Sequence, residues 1–137
     1  MILRGKIISM KENILTIHIN RPIGEVFKFS LDSSKLPLWF ESIAEEIPSE
    51  IPAKLGTILK NRGHNSDKWN EYEITEFVPN ELFTLSQIGG GYNVSYTYKS
   101  INGGTELTYH EWVDDGELDD AVDMKPLELL KKLLENS

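Results

Sequence analysis

The chain has 137 residues and no cysteine, with 39% hydrophobic residues, 26% charged residues and a formal net charge of -8. That length suits a single domain, residues 1–137, able to bury roughly two-thirds of its unfolded surface, with residues 1–12 open as an N-terminal extension. The acidic balance and the lack of a basic stripe argue against a nucleic-acid partner, and the missing cysteines exclude disulfides, thiolate chemistry and cysteine-ligated zinc.

At the N-terminus, Met1 to Ile8 is too short and too interrupted by charge for a signal peptide or a membrane span. A cytoplasmic protein without membrane insertion is therefore expected. Lys6 to Met10 reads as an extra strand or a loosely attached arm. Asn13 to Ile19 is a clearer strand, with Leu15, Ile17 and Ile19 on one face and Ile14, Thr16 and His18 on the other. Asn20 or Arg21 is placed to cap a helix whose first turn tolerates Pro22. Ile23, Val26, Phe27, Ser30 and Leu31 follow at helical spacing as far as Asp32. Ser33 or Ser34 is the expected cap of a second helix carrying Leu36, Leu38, Trp39 and Phe40, with Pro37 in its first turn.

Strands follow: Ser42 to Ile47, Thr57 to Arg62, Lys68 to Phe77 and Leu82 to Ile88, with turns at Gly63–Asp67 and Val78–Glu81. Pairing Phe77 with Leu82 sets Thr75 against Thr84 and Ile74 against Leu85. Tyr72, Ile74, Phe83 and Leu85 then share an inner wall.

The strongest local signal runs from Tyr92 to Val113. Large and small residues alternate strictly from Tyr92 to Lys99, Asn102-Gly103-Gly104 supplies a turn, and Thr105 to Val113 returns. Setting Ser100 opposite Thr105 pairs Lys99 with Glu106, Thr97 with Thr108 and Ser95 with His110 on a wet face. The other face then pairs Tyr98 with Leu107, Tyr96 with Tyr109, Val94 with Glu111 and Tyr92 with Val113. A wall of phenols and one carboxylate is unusual for plain core, because buried hydroxyls must find partners, and it suits a pocket for an apolar molecule with a few polar groups.

Beyond Asp114-Asp115-Gly116, Glu117 to Glu135 reads as a helix carrying Leu118, Val122, Leu127, Leu130, Leu133 and Leu134. Acidic residues at its start and Lys131 and Lys132 near its end would complement the helix dipole. Pro126 should kink that helix or split it near Met124.

Several of these residues stand in an order that resembles a known family. Ile17-His18-Ile19-Asn20-Arg21-Pro22-Ile23-Gly24-Glu25-Val26-Phe27, followed by Leu36-Pro37-Leu38-Trp39, is similar to the opening of the START-like (SRPBCC) polyketide cyclase/dehydrase families. Gly56, the Glu76-Phe77-Val78-Pro79-Asn80 corner and Gly104-Thr105-Glu106-Leu107-Thr108 match the same pattern, so the likeness spans about Ile14 to Glu135. It implies an α+β helix-grip fold: a curved antiparallel sheet wrapped around a long C-terminal helix, two short helices after the first strand, and a cavity between sheet and helix. Pro126 departs from the more continuous helix of such proteins.

On this reading a small hydrophobic ligand, of lipid, polyketide or aromatic type, would be bound by Trp39, Tyr72, Leu85, Val94, Tyr96, Tyr98, Tyr109 and Glu111. Glu111 beside Tyr96 and Tyr109 is the one candidate general base, for a cyclase, dehydratase or isomerase. Its plainer role is structural, reaching water or a basic partner at a strand end, and that role is favoured. Trp39 likewise reads first as packing where the second helix meets the sheet. A protein-interaction module of the chaperone-cofactor kind is a third alternative. His18 and His110 lack a third ligand, the acidic run Asp114–Asp123 lacks calcium-loop spacing, and Gly89-Gly90-Gly91 lacks the lysine of a phosphate loop. No metal site and no cofactor are expected, and the oligomeric state is left open.

Overall fold

Alternation builds a seven-stranded antiparallel sheet that curls into a half-barrel. The computed structural model describes residues 10–137 in full and, before them, the backbone of two short paired strands, β1 (Ile2–Leu3) and β2 (Lys6–Ile7). The expected arm from Lys6 to Met10 thus supplies β2, while residues 8 and 9 lie outside the described residues.

The large sheet contains β3 (Glu12–Ile19), β4 (Ile43–Pro48), β5 (Ile58–Gly63), β6 (Asn70–Val78), β7 (Leu82–Gln87), β8 (Tyr92–Ile101) and β9 (Gly104–Val113), in the order β3-β9-β8-β7-β6-β5-β4. The helices α1 (Ile23–Leu31) and α2 (Leu36–Trp39) carry the chain from one edge strand to the other, and α3 (Lys125–Glu135) ends it. This is the expected helix-grip α+β architecture.

The β8–β9 hairpin forms in the expected register throughout, from Tyr92 opposite Val113 to Ser100 opposite Thr105. Asn102 and Gly103 both take positive φ, 50° and 76°, as a two-residue turn of the hand that matches strand twist requires. The β6–β7 register is as expected at Ile74 opposite Leu85, but a bulge at Thr75 shifts the hairpin end. Glu76, not Thr75, faces Thr84, and Phe77 faces Phe83, not Leu82. One extra residue lets Thr75 and Glu76 both turn outward and returns Phe77 to the inner side, edge-on to Phe27 at 5.8 Å.

The expected helix caps are corrected by the structure. Pro22 occupies the N-cap of α1 and Lys35 that of α2, both without a side-chain hydrogen bond. Asn20 and Arg21 are engaged elsewhere: the Asn20 amide donates to Glu135 (2.7 Å) and the Arg21 guanidinium to the Leu134 carbonyl (2.9 Å) at the end of α3. A cation there meets the negative end of the helix dipole. Ser33 donates to Glu46 (2.8 Å) and Ser34 to Asp32 (2.7 Å).

The C-terminal helix is shorter than expected. It begins at Lys125, with Pro126 in its first turn where a missing donor costs nothing, so proline starts the helix and does not kink it. Residues 114–124 form an irregular segment because their backbone groups serve other partners. The Leu118 amide donates to the Met10 carbonyl (2.7 Å), the Val122 amide donates to Glu111 (2.7 Å), and Asp120 takes a positive φ of 50°. The acidic run is therefore largely outside the helix, whose own charge order is Glu128 in the first turn and Lys132 in the last. An 11-residue helix is marginal alone. Burial of Leu127, Leu130 and Leu134, worth about 1.5–3 kcal/mol each, holds it against β3, α1 and α2.

Candidate functional site

Period-two alternation sends Tyr92, Val94, Tyr96 and Tyr98 to the concave side of the sheet, with Tyr109 and Glu111 beside them on β9. Between this wall, α2 and the 114–124 segment lies a cavity of about 260 Å³. It falls just under the usual ~300–1,000 Å³ of small-molecule sites.

Six of the eight sequence candidates line it: Tyr72, Leu85, Val94, Tyr96, Tyr109 and Glu111. Trp39 and Tyr98 do not. Tyr98 is packed solid, its ring 5.2 Å from Phe27 and its hydroxyl on Ser30. Trp39 is wholly buried behind the wall, edge-on to Tyr96 at 6.4 Å, and its indole N–H meets no acceptor among the described residues. Helix α3 contributes no lining residue. The roof over this part of the sheet is Val122, Asp119 and Asp120 of the 114–124 segment, with Leu36 and Phe40 closing the α2 side.

Glu111 is 1% exposed and accepts three hydrogen bonds. Tyr92 donates to one oxygen (2.7 Å), while Asn13 (2.8 Å) and the Val122 amide (2.7 Å) donate to the other. Asn13 also donates to the Val122 carbonyl (2.8 Å), so one carboxylate and one amide clamp the roof segment to β3 and β9. The expected water or basic partner is replaced by neutral donors. A carboxylate so engaged keeps little acceptor capacity for abstracting a proton.

A second carboxylate stands across the cavity, and the sequence reading missed it. Glu46 on β4 accepts from Ser33 and from Asn61 (3.1 Å), one donor on each oxygen. Burial raises its pKa above the ordinary carboxylate range, only partly offset by those two bonds. Glu46 also borders a second, wider hollow of about 470 Å³ between α1 and the turn after β4, and so stands as a partition between two spaces. It was hidden by a bulge: the register shifts between Ile43 and Glu45, which lets Ile43 and Glu46, three apart, both face inward. The adjacent Glu45 points away and pairs with Arg62 at 2.7 Å. The one signal in the sequence was a polar Asn61 within the Thr57–Arg62 strand, which the structure buries opposite Glu46.

The phenols divide likewise. Burial pushes the pKa of Tyr92, Tyr96 and Tyr109 up, with nearby groups adding to it, so all three are neutral. Tyr92 is committed to Glu111. The hydroxyls of Tyr72 and Tyr96 have no hydrogen-bond partner among the described residues, although both residues line the cavity. Phe83, stacked on Tyr96 at 4.5 Å, and Tyr109, edge-on at 5.2 Å, hold the Tyr96 ring in place. The histidines lie apart: His18 bonds the Ile101 carbonyl (3.1 Å) and His110 bonds Glu12 (2.8 Å). Among the described residues, no cluster of three or more histidines and acids could hold a metal, and no helix is long and apolar enough to cross a membrane.

No protein-family model and no curated protein matches the sequence. Solved structures do. Protein MLL2253 from Mesorhizobium loti superposes with a TM-score of 0.75 at 12% identity, over 93% of this chain and 98% of that one. Ara h 8.0201 does so at 0.66 and 14%, over 92% and 98%. DynU16, a protein in the dynemicin biosynthetic locus, does so at 0.67 and 19%, over 91% of this chain and 47% of that one. At these identities the likeness is one of fold, and that fold is the α+β helix grip.

Proposed function

We propose that the protein binds or carries a small, largely apolar molecule, of aromatic, polyketide or lipid type, in the cavity under the 114–124 segment. The observation that carries this reading is the pair of unpartnered hydroxyls, Tyr72 and Tyr96, facing a space otherwise walled by Leu85, Val94, Phe40 and Val122. Neither hydroxyl is a sealed, unsatisfied group, so both are open to the hollow, where a guest with a polar group can complete them. A catalytic role for Glu111 has less support, because its hydrogen bonds already hold the roof in place.

Native mass spectrometry of protein purified from its host, together with titration of a neutral naphthol probe, tests the proposal. Leu85→Trp should fill the space and weaken the probe at least about tenfold while the melting temperature stays near wild type. Probe affinity unchanged in that variant, or a wild-type protein that takes up no probe and carries no host molecule, would defeat the reading.

A further inference from the structure

Every charged side chain lining the cavity is acidic: Glu46, Glu111, Asp119 and Asp120, with no lysine, arginine or histidine among the described lining residues. The basic groups adjoining its walls in sequence are used elsewhere, Arg62 on Glu45, His110 on Glu12, Lys35 over the Phe29 ring and Lys60 over the Trp69 ring. Glu111 is satisfied by three neutral donors. Glu46 is not comparably served: two neutral donors leave an acceptor position open on each oxygen, in a desolvated setting without a counter-charge.

An independent feature points to the same corner. Tyr96 is 5% exposed, and its hydroxyl faces the cavity without a partner. Tyr72, whose hydroxyl is likewise unpartnered among the described residues, lines the same cavity as Tyr96 and Glu46. A phenol oxygen accepts a hydrogen bond, and an aromatic ring attracts a cation over its face.

Resting on the binding function proposed above, we infer that the cavity selects guests bearing a protonated amine, seated among Glu46, Tyr72 and Tyr96 with the apolar body against Phe40, Leu85 and Val94. The ammonium donates to the open positions on Glu46 and to the two phenol oxygens, and it supplies the charge that the carboxylate lacks. An anionic guest of equal size, such as a carboxylate or a phosphate ester, meets only like charge and is refused. The volume, about 260 Å³, limits the guest to a body of one or two rings or a short chain.

Three guests of one skeleton separate the alternatives when titrated calorimetrically into the full-length protein: tryptamine, the neutral tryptophol and the anionic indole acetate. Tryptamine should bind at least about tenfold tighter than tryptophol, and indole acetate should be the weakest of the three. Glu46→Gln should erase most of the tryptamine advantage and leave tryptophol within about threefold of wild type. Tryptophol or indole acetate equal to or better than tryptamine overturns the amine selection while leaving the binding function standing. Failure of all three in a protein that takes up the naphthol probe also overturns it, and failure of every probe removes the binding function itself. The ranking on the wild-type protein needs no variant, so it decides the matter even where Glu46→Gln folds poorly.

Discussion

The two sides of the cavity hold the same chemical group in opposite conditions. On the β9 side, Glu111 is enclosed by donors from β3, β8 and the roof segment, and it works as a clamp. On the β4 side, Glu46 has one donor per oxygen, a raised pKa and two free phenols nearby. Burial alone does not mark a functional carboxylate. What separates them is whether the protein has already filled the acceptor positions.

The largest effect should come from breaking the clamp. Glu111→Leu strands the Tyr92 hydroxyl and the Val122 amide and takes one of two bonds from the Asn13 amide, and should cost about 3–5 kcal/mol in urea unfolding. A loss below about 1 kcal/mol would abolish the distinction between the two sides. Tyr92→Phe removes a single charge-assisted bond to the same carboxylate and should cost about 1–2 kcal/mol by the same measurement.

Glu46→Gln sharpens the comparison through pH, and its effect on stability should stay within about 1 kcal/mol near neutrality. The sign follows from a folded pKa that lies above the ordinary 4.5. Between those two values the unfolded chain has released a proton that the folded protein keeps, so wild-type stability falls as pH rises through that window. Below it the penalty is absent. The stability difference between wild type and Glu46→Gln should therefore move in favour of the variant as pH rises above about 4.5, and a flat difference would remove the desolvated carboxylate from the account. Taking the difference cancels Glu135, whose pKa is lowered by Lys131 and the Asn20 amide and whose contribution runs the other way. Tyr96→Phe should have the smallest effect, within about 0.5 kcal/mol, because its hydroxyl has no protein partner to lose. A cost like that of Tyr92→Phe would mean that the hydroxyl is satisfied after all.

Legibility in the sequence followed the same divide. The Tyr92–Val113 hairpin could be read pair by pair, since strict alternation sets the faces and Asn102-Gly103 sets the turn. That placed Tyr96, Tyr109, Val94 and Glu111 on one wall before any coordinates. Tyr98 belongs to the same face, yet α1 covers it, and a face assignment does not say what lies above each residue. Glu46 escaped because a bulge breaks the alternation, and a bulge is a one-residue event with little local signature in this segment. The helix start was misplaced by eight residues, from Glu117 to Lys125, for a different reason. Residues 117–124 have an apolar spacing compatible with a helix, but the Leu118 amide is claimed by the Met10 carbonyl and the Val122 amide by Glu111 on β9.

By itself, then, the sequence determined the strand faces of the central hairpin, its register and the helix-grip order of elements, because each depends on contacts between near neighbours or on a fixed period. Only the tertiary structure decided which carboxylate is spent as a clamp, which one stands open, and that an irregular segment roofs the cavity in place of a helix. Those outcomes turn on hydrogen bonds between separate elements, from Glu46 with Ser33 and Asn61 at separations of 13 and 15 to Glu111 with Asn13 at 98, and no local pattern carries that information.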